Sequence, residues 1–393
     1  MSVVVAPVQW QPADLYTLPA HQQPQWADRA SLRSAVTSLR EAGPLVSPTQ
    51  VQALRQRLAE AAAGTVFVVQ AGDCAESFDD SPGDAVTKAE VLAALADRVG
   101  AAVDRPVVPI ARMAGQYAKP RSAPVETGHA VHLPAFRGHI INGEHSTLHD
   151  RQHDPARLVH AYRHAAQTAS ALRLVGWLDT LWLSHEALVL DYEIPQVRPF
   201  GEQWLLTSTH LPWIGARTNQ PAYAHIGLAS RIVNPVACKV TTQTSPRTLL
   251  DICTRLDPDR SPGRLVLISR MGARTVTRAL PPLLRAVAQA GHPVTWLCDP
   301  MHGNTFTSGV GLKTRHLDEI VAEVNGFLQA HAAAGTIAGG IHLEVAASEV
   351  TECLGGPGPA EERDLLRRYT SLCDPRLSPA QADALVERVR WRR

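Results

Sequence analysis

Residues 65–76 read TVFVVQAGDCAE. An apolar run with no polar break inside it is followed at once by a knot of small and polar residues. A strand buried on one face alternates apolar and polar side chains, whereas a strand buried on both faces does not. This run therefore predicts a strand covered on both sides, as in a parallel sheet. The same signature recurs outward along the chain, at Pro106–Ala111, Thr180–Leu183, His210–Ile214, Pro235–Val240, Arg264–Ser269, Pro293–Leu297 and Gly340–Leu343. Helical stretches lie between these runs, among them Asp84–Val99, Asp154–Arg173 and Pro281–Ala290. Eight such units predict an α/β protein built on a (β/α)8 TIM barrel. An open, doubly wound sheet is the competing reading. No GxGxxG or GxxxxGK[ST] follows the first strand, which weakens its nucleotide-binding form.

The flanks add helices. Residues 1–30 are rich in Pro and Gln and read as an extended arm, followed by a helix around Ala30–Glu41. A second helix starts at Ser47-Pro48-Thr49-Gln50, with Ser as N-cap, Pro at the first helical position and Gln closing a capping box. Val51, Leu54 and Leu58 form its apolar face, and Gly64 is its stop. Ser378-Pro379-Ala380-Gln381 opens the last helix in the same way. Residues 123–178 are long for one connection and predict extra helices in a barrel loop. The organisation expected is an N-terminal arm with helices over 1–64 and a catalytic barrel over 65–393. The arm is expected at a subunit interface or over the closed end of the barrel.

Composition narrows the function. The chain has 393 residues, with 38 Lys+Arg against 37 Asp+Glu, a balance that argues against nucleic acid as a partner. Hydrophobic residues make up 45%, enough for a large core. No apolar run approaches a membrane span, and MSVVVAPVQW lacks the features of a secretory signal. The six cysteines form no CxxC pair, so a reduced, cytoplasmic protein is expected.

Nearly every apolar run ends in polar residues able to do chemistry. In a barrel those ends share one face, which carries the active site. One group is cationic: Arg112, Lys119, Arg121, Arg217, Lys239 and Arg270. Each taken singly reads as a solvated surface charge. Six at one barrel mouth suit phosphorylated, carboxylated substrates, because guanidinium grips both groups in bidentate fashion. A second group, Cys74, His302, Glu344 and Asp374, offers one thiolate, one imidazole and two carboxylates. That mixture suits Mn2+, Co2+, Fe2+ or Zn2+ and not Ca2+ or Mg2+. His342 and Glu349 compete as ligands, with His342 equally suited to a place behind the ligands. Cys298 and Cys373 read as core thiols.

These segments together resemble the class II 3-deoxy-D-arabino-heptulosonate 7-phosphate (DAHP) synthases. The matching stretches are QAGDCAESF (70–78), ARMAGQYAKPRS (111–122), SHEALVLDYE (184–193), WIGARTNQ (213–220), NPVACKV (234–240), LISRMGA (267–273), CDPMHGNT (298–305), GGIHLEVAASEVTECLGG (339–356) and RYTSLCDPRLSPAQA (368–382). The compact length is similar to the short forms found beside antibiotic and phenazine-type pathways. The resemblance implies a metal-dependent transferase that condenses phosphoenolpyruvate with erythrose 4-phosphate, giving DAHP and phosphate. It implies Cys74, His302, Glu344 and Asp374 as ligands of a divalent ion, Mn2+ or Co2+ first, with Zn2+, Fe2+ or Cd2+ as alternatives. It assigns Arg112, Ala216, Arg217, Lys239 and Arg270 to phosphoenolpyruvate, and Lys119, Arg121 and Ser122 to erythrose 4-phosphate. Lys119, His302 and Cys74 become the catalytic residues. It also implies a homodimer or larger homo-oligomer.

Two positions depart from the family pattern. Ala216 stands where class II members usually have Glu, and a backbone N–H there can still meet a phosphate. Thr241-Thr242 replaces the usual Gly-Pro. Two other readings stay open, the second of them motivated by these departures. One is an aminoDAHP synthase that uses an imino or amino analogue of erythrose 4-phosphate. The other is a catalytically silent, regulatory barrel. For proton transfer the candidates are Glu76, His185, Lys119 and His302.

Overall fold

The computed structural model describes residues 10–126 and 132–391. The predicted arm partly falls on residues 1–9, outside the described residues. Eight strands run in chain order: β1 (Phe67–Gly72), β2 (Val107–Arg112), β3 (Trp182–Glu186), β4 (Leu211–Ile214), β5 (Val236–Thr241), β6 (Leu265–Arg270), β7 (Thr295–Cys298) and β8 (Ala338–Glu344). Each pairs in parallel with the next, and β8 returns to β1 to close the barrel. The closing register sets Gln70 against His342 and Gly72 against Glu344.

Alternation along the strands separates two cores. Val68, Ile110, Trp213, Ala237, Ile268 and Leu297 fill the barrel interior. Phe67, Val69 and Ala71 point the other way, into the layer beneath the helices. That outer layer includes α1 (Arg29–Glu41), α3 (Pro82–Val103), α4 (Ala156–Leu174), α5 (Ala224–Arg231), α6 (Pro246–Leu256), α7 (Val276–Gln289), α8 (Leu317–Ala334) and α9 (Pro379–Arg388).

The helix α2 (Pro48–Ala62) begins at the predicted capping box: Ser47 Oγ accepts from Gln50 N at 3.2 Å, and Gln50 Oε1 accepts from Ser47 N at 3.0 Å. Its Leu54, Leu58 and Ala61 belong to the interior cluster, so α2 plugs the N-terminal end of the barrel. Thr295, the first residue of β7, donates to the Leu58 carbonyl at 2.8 Å. Gly263 has a φ of +77°, and a Cβ there would collide with the Arg55 carbonyl, so the loop before β6 can lie flat against α2.

Several boundaries differ from expectation for physical reasons. Four strands run on into Arg112, Glu186, Arg270 and Glu344, because polar side chains at these ends turn into the barrel mouth. The helix expected from Pro281 begins at Val276 and holds Pro281 and Pro282 inside it. A proline lacks the N–H that closes a helical turn, so sequence alone places it at a start. The arm is not wholly extended: Pro12–Thr17 forms a 3-10 turn that buries Leu15. The 123–178 connection does hold extra helices, a short one at Leu148–Arg151 and the long α4, after a two-stranded ribbon (Val125–Glu126 with Leu133–Pro134) that was not expected. No helix among the described residues is long and apolar enough to cross a membrane.

Candidate active site

Inward-pointing residues at the C-terminal strand ends form one continuous polar network. Arg112, the last residue of β2, donates from Nη2 to Glu344 Oε1 at 2.9 Å and from Nε to the Asp73 carbonyl at 3.1 Å. His342 lies between cations: its Nε2 faces Arg112 Nη1 and stands 3.0 Å from Lys239 Nζ. Burial, Lys239 and Arg112 together push its pKa well below the usual imidazole value. The ring is therefore neutral, with Nε2 accepting and Nδ1 donating to Gln70 Oε1 at 2.7 Å. His342 is thus committed to the cation ring. Glu349 is exposed and accepts a bond from Ala380 N, so it too stands apart from the ligand group.

Three of the four expected ligands converge. Single ligand atoms of His302, Glu344 and Asp374 all lie within 4.8 Å of one another. His302 Nε2 is 3.2 Å from Glu344 Oε1 and 3.9 Å from Asp374 Oδ2. Its Nδ1 is held by Asp299 Oδ2 at 2.8 Å, which aims Nε2 at the carboxylates. Lys119 Nζ sits 3.1 Å from Glu344 Oε1 and 2.9 Å from Asp374 Oδ2. Burial opposes the charge on both carboxylates. Even so, His302, Lys119, Arg315 and Arg112 hold Glu344 ionised, and Lys119 and His302 do the same for Asp374.

Cys74 borders this group without belonging to the tight trio. Its Sγ is 3.1 Å from Ser371 Oγ, and Ser371 Oγ donates to the Asp374 carbonyl. A hydrogen bond from Cys373 lowers the Cys74 thiol to about 7 against the effect of burial, and Lys119 adds to the shift. Cys373 is thus a partner of Cys74 as well as a core thiol. An imidazole, two ionised carboxylates and a thiol that ionises near neutrality fit a borderline divalent ion.

The cationic residues divide between two adjoining chambers. The inner one, about 440 Å³, is lined by Arg112, Ala216, Arg217, Lys239, Arg270 and Glu186, among others. The outer one, about 1020 Å³, is lined by Arg121, Ser122 and Lys313, and both volumes include space open to solvent. Lys119, Arg217, Arg270, His302 and Asp374 line both. The residues expected at phosphoenolpyruvate and at the sugar phosphate are therefore neighbours, with His302 and Asp374 on the wall between them.

Two of the four candidates for proton transfer are engaged elsewhere. Glu76 accepts from the N–H groups of Ala114, Gly115 and Gln116 at 2.7–3.0 Å and is spent on holding that loop. His185 points away from the mouth and bonds Glu193 at 2.8 Å. The residue beside it, Glu186, enters the inner chamber instead. Its Oε1 has no hydrogen-bond partner, burial raises its pKa, and it packs so close to Gly215 that no Cβ fits there. Thr241-Thr242 forms a turn closed by Thr244, away from both chambers.

The family model for class-II DAHP synthetases matches residues 10–180 and 177–389. The chain belongs to the class-II DAHP synthetase family. A probable phospho-2-dehydro-3-deoxyheptonate aldolase of Pseudomonas fluorescens is 46% identical over 379 residues, covering 93% of this chain and 94% of that protein. The phospho-2-dehydro-3-deoxyheptonate aldolase AroG of Mycolicibacterium smegmatis is 38% identical over 423 residues, covering 93% of this chain and 90% of that protein. Among solved structures, a truncated 3-deoxy-D-arabino-heptulosonate 7-phosphate synthase from Thermotoga maritima aligns with a TM-score of 0.41 at 17% identity. That alignment covers 82% of this chain and 85% of the other. The class-II DAHP synthetase segments that carry His302, Glu344 and Asp374 all fall inside the matched residues.

Proposed function

We propose that this chain condenses phosphoenolpyruvate with erythrose 4-phosphate to give DAHP and inorganic phosphate. One observation carries the reading: two cationic chambers adjoin, and His302 and Asp374 line both. Two anionic substrates are thereby offered separate seats with a shared wall. A divalent ion, Mn2+ or Co2+ first, held by His302, Glu344, Asp374 and Cys74, would supply Lewis acidity to the sugar's aldehyde oxygen.

The chain's own residues do the rest. Arg112, Lys239, Arg270 and Arg217 neutralise the carboxylate and phosphate of phosphoenolpyruvate and orient its enol carbon. The Ala216 N–H can meet the same phosphate where relatives carry Glu. Lys119, Arg121 and Ser122 hold the sugar phosphate with its aldehyde facing the inner chamber. C3 of phosphoenolpyruvate bonds to the aldehyde carbon while the C=O π pair moves onto the aldehyde oxygen, which takes up a proton to become a hydroxyl, and C2 is left electron-poor. Water then adds to the former enol C2, and phosphate departs from that carbon. Glu186, unpartnered and raised in pKa by burial, is the carboxyl suited to take the proton of that water.

The test is release of inorganic phosphate from the two substrates by purified protein treated with EDTA, before and after Mn2+ is restored. Activity that needs both substrates and the ion supports the reading. Full activity in the chelated protein overturns the metal assignment, and no phosphate release with Mn2+ present overturns the reaction.

A further inference from the structure

We infer that Arg315 is the positioning residue of the metal centre, an inference that rests on the reading above. His302, Glu344 and Asp374 come from three separate segments: the loop after β7, the end of β8 and the chain ahead of α9. No single element sets their spacing. Arg315, just before α8, touches all three segments. Its Nη2 donates to Glu344 Oε2 at 2.8 Å. Its Nε donates to the Thr305 hydroxyl at 2.8 Å, three residues past His302. Its Nη1 donates to the carbonyl of Pro375, the residue after Asp374. The side chain is fully buried.

A buried guanidinium is strongly unfavourable unless its donors are matched, so these contacts fix one another. Arg315 occupies Glu344 Oε2 and leaves Oε1 turned toward His302, 3.2 Å away. Arg315 on Oε2, together with Arg112 on Oε1, keeps the carboxylate from rotating away from the ion's seat. The Thr305 hydroxyl passes the restraint on to the Met301 carbonyl at 3.2 Å, beside His302. Arginine does this because its planar fork spans several acceptors at once; the single nitrogen of lysine cannot.

The experiment uses the full chain freed of metal with EDTA and titrated with Mn2+ by calorimetry, as wild type, Arg315→Lys and Thr305→Val. Partners that orient metal ligands are worth about 10–100-fold in affinity, so Arg315→Lys is expected to raise the Mn2+ dissociation constant by about that factor. Thr305→Val, which removes one of the three contacts, is expected to raise it about 3–10-fold. With Mn2+ saturating, the KM for phosphoenolpyruvate stays within about twofold, because its seat is untouched. A folded Arg315→Lys protein that binds Mn2+ as tightly as wild type overturns the role of Arg315 and leaves the metal reading standing. A parallel rise in the KM also overturns it, as general distortion. Should Arg315→Lys fail to fold, an unchanged constant in Thr305→Val overturns it. Failure of the wild type to bind Mn2+ overturns the metal centre itself and this role with it.

Discussion

Lys239 is the mouth cation whose charge titrates nearest neutrality. Burial lowers its pKa to about 8, with Arg112 and Arg270 adding to the shift and Asp299 opposing it. The ammonium that attracts an anionic substrate is present below that pH and lost as pH rises through it. We expect kcat/KM for phosphoenolpyruvate to fall about tenfold per pH unit above about pH 8, since this ratio reports the free enzyme's groups. Arg at this position stays charged, so Lys239→Arg should flatten that limb. A profile that stays level in the wild type through this range would remove Lys239 from substrate binding. The residue scale is also where the sequence is hardest to read. His185 and Glu186 are adjacent, and successive strand residues face opposite sides, so only the register decides which enters the chamber. The mouth cations were legible because five of them follow apolar runs and the sixth, Lys239, interrupts one. Arg315 was not, because no apolar run precedes it and nothing in the chain marks it as buried.

At the scale of elements, α8 ties two site loops together. Glu323 Oε1 accepts from Met271 N and Gly272 N at 2.8 Å, just past Arg270. Its Oε2 accepts from Asn304 Nδ2 at 2.8 Å, two residues past His302, and Asn304 Oδ1 accepts from Ala273 N at 2.9 Å. Glu323→Gln would set an amide donor against the Asn304 donor. Leaving a buried group unmatched costs about 1–3 kcal/mol, so we expect a lower urea midpoint and reduced kcat. Adding Asn304→Asp restores a donor–acceptor pair, and activity should recover in the double variant above either single one. A double variant as impaired as the sum of the two would show that the contact does not matter. The strands themselves were legible as uninterrupted apolar runs, but their charged ends were not. Arg112 and Glu344 stay in strand geometry because they pair with one another in the barrel mouth.

For the whole molecule, the fold depends on a plug supplied from outside the strand sequence. Leu58 of α2 is fully buried in the interior cluster. Leu58→Ala should cost about 2–5 kcal/mol of stability, measured by urea unfolding. Turnover per folded molecule at 25 °C should stay close to wild type, because the plug lies at the end opposite the chambers. Unchanged stability would show that α2 is an ornament on the barrel. The capping box and apolar face of α2 were legible, while its place beneath the strands was not, since nothing in an amphipathic helix names the surface that it covers.

The Gln70–His342 bond joins residues 272 positions apart. On the ribosome, the amino-terminal portion emerges long before its last strand has been translated. A nascent polypeptide therefore carries an open, incomplete sheet through most of its synthesis. Because His302, Glu344 and Asp374 all lie beyond the seventh strand, this trio can come together only after every strand of the barrel has been made.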